Sequence, residues 1–142
     1  SAYNSGSQTL SKTTPAKVSF GTEIFDRTGC YDTSLSRFQP TVAGKYILIA
    51  RIEANFIVSA GYGVSAYCYK NGSLLYPIGF MRSRTTTINA GLSGAVVVDA
   101  NGSSDYFEIF AVTNTVAGGE TPTIGGGQGV AYFQGHIIKT RI

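Results

Sequence analysis

Lys45-Tyr-Ile-Leu-Ile-Ala-Arg-Ile-Glu-Ala-Asn-Phe-Ile57 decides the fold class, because its apolar residues recur at every second position. Tyr46, Leu48, Ala50, Ile52, Ala54 and Phe56 fall on one side of an extended chain; Ile47, Ile49, Arg51, Glu53 and Asn55 fall on the other. Successive β residues point to opposite faces, so the first set reads as a core face. The second set starts apolar and turns charged, as in a strand whose outer face leaves an interface for solvent. Similar runs are Lys17–Phe25, Tyr62–Lys70, Leu74–Arg84, Leu92–Val98, Tyr106–Thr113 and Val130–Arg141. Turn signals separate them: Asn71-Gly-Ser73, Asn89-Ala-Gly91, Asn101-Gly-Ser103 and the tract Gly125-Gly-Gly127. No segment keeps a helical period for three turns. Short strands at this spacing define an all-β sandwich or barrel.

The chain has 142 residues, enough for one domain, 1–142, that buries roughly two thirds of its unfolded surface. Residues 1–14, rich in Ser, Thr and Asn, read as a lead-in from an upstream stalk, and a start at Ser1 without Met reads as a piece of something longer. Charged residues make up only 13% against 12% aromatics, about half the charge of an ordinary soluble domain. Such a surface suits a chain partly covered in an oligomer. The net charge of +3 is scattered, with Arg82-Ser-Arg84 the densest basic cluster, so no nucleic-acid partner is expected. No run reaches the ~18 apolar residues of a membrane span, and no membrane insertion or secretory leader is expected. Cys30 and Cys68 read as free thiols, with Cys68 filling a strand interior.

Phe20, Asp26, Tyr31, Phe38, Gly44 and Tyr46 form the spacing F-x5-D-x4-Y-x6-F-x5-G-x-Y. It resembles the signature of the C1q-like heads and their relatives in the tumour necrosis factor superfamily. Further stretches carry the resemblance through most of the chain. Ser1-Ala-Tyr3 looks like the short opening strand and Gln8-Thr-Leu10 like the turn after it; Tyr69-Lys-Asn-Gly72 looks like a strand ending in a Lys-Asn-Gly turn. Gly102 to Ile109 resembles the penultimate strand, and Tyr132-Phe-Gln-Gly-His-Ile-Ile138 the closing one. Leu48 and Ala50 stand where the family places aromatics. The resemblance implies a jelly-roll sandwich that assembles as a homotrimer. The Ser/Thr/Asn-rich entry and low charge are similar to heads at the tips of phage tail fibres and bacterial fibre-like adhesins. On that likeness the expected function is non-enzymatic recognition of a cell-surface glycan or protein receptor, at an extracellular, virion or bacterial surface. A structural trimerisation cap and a cytokine- or complement-like ligand for a protein receptor remain the alternatives.

In such a jelly roll the first and last strands pair antiparallel. That puts the segments near Ala60-Gly61, Thr85–Ala90 and Asn114–Gln128 at the end away from the stalk, and the turns at Asn71–Ser73 and Asn101–Ser104 at the stalk end. Fibre tips meet their targets with distal loops. The candidate ligand contacts are therefore Tyr62, Arg82, Arg84, Asn89, Asn114, Glu120 and Gln128, with Tyr67, Tyr69 and Tyr76 weighed as either ligand contacts or interface residues. Rings stack on sugar faces, while amide and guanidinium groups reach hydroxyls and acidic substituents.

Catalysis finds little support. His136 is the only histidine, it lies in a strand, and no G-x-S-x-G spacing is present. It reads as a hydrogen-bonded residue at or near a subunit interface. No metal or cofactor is expected: there is no D-x-D-x-D-G loop, Asp26, Asp32, Asp99 and Asp105 stand apart in turn-like sequence, and Glu120 reads as solvated loop charge rather than a ligand shared across a threefold axis.

Overall fold

The computed structural model describes residues 1–57, 63–82, 87–114 and 121–138, with their side chains except those of Phe56, Ile57, Thr87, Ile88, Asn89 and Asn114. Every regular element among them is a strand. Short ones come first: β1 (Ala2–Tyr3), β2 (Gln8–Thr9), β3 (Ala16–Lys17), β4 (Thr22–Glu23), β5 (Tyr31–Asp32) and β6 (Arg37–Phe38). The longer ones follow: β7 (Ala43–Ile57), β8 (Gly63–Lys70), β9 (Ser73–Arg82), β10 (Thr87–Asn101) and β11 (Phe107–Asn114), then β12 (Thr123–Ile124) and β13 (Tyr132–Ile137).

They form two antiparallel sheets. In the first, β10 pairs along the whole of one edge of β7, and β12 and β13 share its other edge; β2 lies outside β12, and β1 then β4 outside β13. In the second, β8 lies between β9 and β11, with β3 and β6 along the far edge of β11 and β5 beyond β6. The core forms as the alternation dictates: Tyr46, Leu48, Ala50, Ile52 and Ala54 are buried, facing Val64, Ala66, Cys68, Phe107, Ile109 and Ala111 of the second sheet.

The spaced motif is a core device. Asp26 ties its turn together, Oδ1 accepting from the Thr28 amide at 3.0 Å and Oδ2 from the Tyr31 amide at 2.6 Å. The Tyr31 hydroxyl donates to the Phe20 carbonyl at 3.2 Å. Around Phe133 gather Phe20 at 5.9 Å, Tyr31 at 6.0 Å and Phe38 at 6.4 Å between ring centroids, and Tyr46 meets Phe38 edge-on at 5.6 Å. Phe133 is paired with Ala50 across the ladder, so this cluster supplies aromatic volume beside the small residues of β7.

Four expectations change. Asn89-Ala-Gly91 is no turn: it lies within β10, opposite Glu53 to Asn55, where Ala90 is buried and the Arg51 guanidinium lies over Gly91. Lys17–Phe25 is not one strand. Ala16–Lys17 pairs in the second sheet and Thr22–Glu23 in the first, so Val18 and Phe20, both fully buried, mark a crossing between layers. Gln8–Thr9 is a strand on β12 rather than a turn. The closing strand is Tyr132–Ile137 and takes in neither Val130–Ala131 nor Ile138 of the expected run, whose last residues, Lys139–Arg141, lie outside the described ones. Cys30 and Cys68 are free and buried.

Two turns at one end are locked to each other. Asn71 and Gly72, with φ of 53° and 79°, make the two-residue hairpin turn between β8 and β9. Asp105 Oδ1 accepts from Asn71 Nδ2 at 2.9 Å, and Oδ2 accepts from the Asn101 amide at 2.9 Å and lies 2.8 Å from Lys70 Nζ. The Lys70 and Asn71 donors hold the Asp105 carboxyl below the ordinary carboxylate range. A lowered folded-state pKa contributes stability that is complete above the unfolded value of about 4 and is lost as pH falls through the folded value. Asp105→Asn is therefore expected to lower Tm most at pH 7, with the gap from the parent closing toward about pH 2. Thermal melts of both proteins across that range check this; a gap independent of pH would contradict it.

Candidate functional site

β7, β9 and β11 end, and β8 and β10 begin, at one end of the sandwich. Ile57 is opposite Thr87 in the first sheet, and Asn114, Gly63 and Arg82 form one row across the second. The Asn71–Gly72 turn and the Gly102 turn lie at the other end. β1 pairs antiparallel with β13, so the chain enters β1 from, and leaves β13 toward, that second end.

Among the sequence candidates, Arg82 and Asn114 come together in the row at the loop end. Arg82 is exposed and has no hydrogen bond or ion pair among the described residues. The backbone of Asn89 is two positions along β10 from Thr87, opposite Asn55, in a row with Thr123 and Thr9. Tyr62, Arg84 and Glu120 lie outside the described residues. Gln128 is set apart from the others. After pairing with Ala54, the chain leaves β12, loops out with the Gly125 amide on the Glu53 carbonyl and the Gly127 amide on the Asn4 carbonyl, and rejoins at Tyr132 opposite Arg51. The exposed Gln128 thus sits on the flank of the first sheet.

Tyr67 and Tyr69 lie on the outer face of the second sheet, where Tyr69 stacks on Phe110 with centroids 4.0 Å apart; Tyr76 is on β9, 47% exposed. On the same outer face Glu108 is 4% exposed, its Oε1 accepting from Lys17 Nζ at 3.3 Å and from Arg37 Nε and Nη2 at 3.2 and 3.1 Å. Two cations thus share this one oxygen.

Two apolar surfaces stand out, neither evident from candidate-residue chemistry. The outer face of the first sheet carries Ile47 and Ile49 in the centre, exposed Val97 and Ala95 on β10, and Tyr132 and Tyr3 on the other side. Its flanking charges are paired within the chain, Arg51 with Glu53 at 3.2 Å and Lys45 with Asp99 at 2.9 Å. The alternation of β7 already held the signal for this face. The other surface is the edge strand β9, which exposes Leu74 (58%), Tyr76 and Phe80 (56%). Inside, β9 crosses β10 so closely that a Cβ at Gly94 would collide with the Ile78 carbonyl. His136 is exposed on the first sheet opposite Ile47 and has no hydrogen-bond partner among the described residues. No group of three or more His, Cys, Asp or Glu residues suited to a metal occurs among the described residues.

No family model matches the sequence, and no curated protein matches it significantly. The fold does match solved structures. Eiger TNF from S. frugiperda superposes with a TM-score of 0.58 over 99% of this chain and 93% of that one, at 10% sequence identity. The architecture is accordingly a TNF-like jelly roll.

Proposed function

We propose that this chain is one subunit of a homotrimeric, non-enzymatic recognition head, which contacts a cell-surface receptor, in our reading a glycan, through its loop end. The observation that carries the proposal is that β7, β9 and β11 end, and β8 and β10 begin, at the end opposite the N-terminal entry and the exit of β13, so that the chain makes its connections between them from there. A head mounted by its termini presents those connections outward, at a virion or cell surface. Trimerisation is supported by the uncovered Ile47/Ile49/Val97 face and the apolar β9 edge. These surfaces lie on different parts of one subunit, so a contact between them is heterologous and closes only by rotation into a ring. Three copies are also what the sequence resemblance to the C1q-like and tumour necrosis factor heads implies. Three loop ends on one tip raise avidity without tight single sites.

A glycan array probed with the purified chain tests this. Binding to one sugar class is expected, falling about tenfold or more when Arg82 and Arg84 are both changed to Ala. Retained binding in that variant would exclude the two arginines as the contact. A second reading, a cytokine-like ligand for a protein receptor, is favoured by the exposed Leu74, Tyr76 and Phe80. A parent protein silent on the array would shift the function to that reading or to a structural cap.

A further inference from the structure

Between the two sheets, at the end away from the loops, lies a cavity of about 310 Å³. Its inner wall is built from motif residues, Tyr31, Phe38 and Tyr46, with Gly135 opposite. Gly135 has a constructive role here: a Cβ at this position would press into the Phe38 ring at 2.8 Å. At the mouth, Phe25 (50% exposed), Val42 (56%) and Ile137 (40%) leave apolar surface in water. The space is roughly ten times the volume of a water molecule, with an apolar interior and few polar groups, the usual composition of a small-molecule site.

The charges on the wall indicate which small molecule fits. Asp26 faces the cavity, but both its oxygens are occupied by the Thr28 and Tyr31 donors of its own turn. The Ser1 backbone nitrogen donates to the Phe25 carbonyl at 2.8 Å. Arg27, by contrast, lines the cavity with no hydrogen bond or ion pair among the described residues. A planar guanidinium beside an apolar chamber suits a carboxylate. We propose that this cavity binds a small carboxylate with an apolar body, about ten heavy atoms in all, its head group on Arg27 and its tail against Phe38 and Tyr46. The site lies apart from the loop end and does not depend on the receptor-binding reading.

Cys30 supplies the assay. Its thiol lines the cavity, whereas Cys68 is fully buried and burial pushes its thiol pKa up to about 12. Native alkylation by N-ethylmaleimide, followed by peptide mass mapping, therefore reads Cys30 against a silent Cys68. Sodium octanoate is expected to slow Cys30 labelling at least fivefold, with half-protection at about 1 mM for a ligand of this size. Arg27→Gln, at an exposed position, should raise that concentration about tenfold, and Val42→Trp, which narrows the mouth, should weaken protection too; circular dichroism confirms that both are folded. Octanoate without effect on the rate would overturn the proposal. So would equal protection by octanol and octylamine, or protection unchanged in both variants.

Discussion

Phe133→Ala should cost the domain about 4 kcal/mol, a large share of the ~5–15 kcal/mol that holds a typical protein folded. Phe133 is 1% exposed and is the ring on which Phe20 of the crossing segment and Tyr31 and Phe38 of the second sheet converge. Its neighbours across the ladder are Ala50 and Ala2, too small to collapse into the space left behind. The lost transfer energy and the residual cavity therefore add. Phe133→Leu keeps most of the volume and should cost only about 1–1.5 kcal/mol. Urea unfolding at fixed protein concentration separates the two, because in an oligomer the midpoint also moves with concentration. Equal losses in the two variants would mean that the ring cluster contributes little beyond a generic apolar side chain.

Ile49→Glu should have the larger effect on assembly and almost none on the fold of the subunit. Ile49 lies at the centre of the first sheet's outer face, between Ala95 and Gln134, with its side chain directed away from the core. In an isolated chain a carboxylate there reaches water. In the proposed trimer it is buried with no lysine or arginine free to pair with it, since Arg51 is already paired with Glu53 and Lys45 with Asp99. An unpaired buried charge costs about 3 kcal/mol or more at each interface, and a trimer carries three of them. Far-UV circular dichroism should match the parent while the assembled form disappears.

How much of this was legible from sequence varies by element. The period of two in β7 announced both the core and the open face, because side-chain direction along a strand follows parity alone. The motif from Phe20 to Tyr46 pointed to the fold because its rings and the Asp26 turn are the core. For the same reason it carried no information on the ligand. Asn89-Ala-Gly91 misled because small residues that suit a turn also suit a strand crossed by Arg51. The passage through Val18 to Phe20 hid its change of sheet, since both residues stay buried throughout. Gln128 was grouped with the loop end by counting strand reversals, which cannot register a loop that leaves an edge midway and rejoins it at Tyr132. The cavity was illegible for another reason: its walls come from residues 25–31, 38–46 and 135–137, brought together only by the closed sandwich.

The most direct test of the central claim is the mass of the native particle, measured by sedimentation equilibrium on the parent chain and on Ile49→Glu at tens of micromolar. The expected result is a parent particle of three times the 15.0 kDa chain and a folded Ile49→Glu monomer. A parent that sediments as a single chain, or a trimer that survives a glutamate at position 49, would contradict the account.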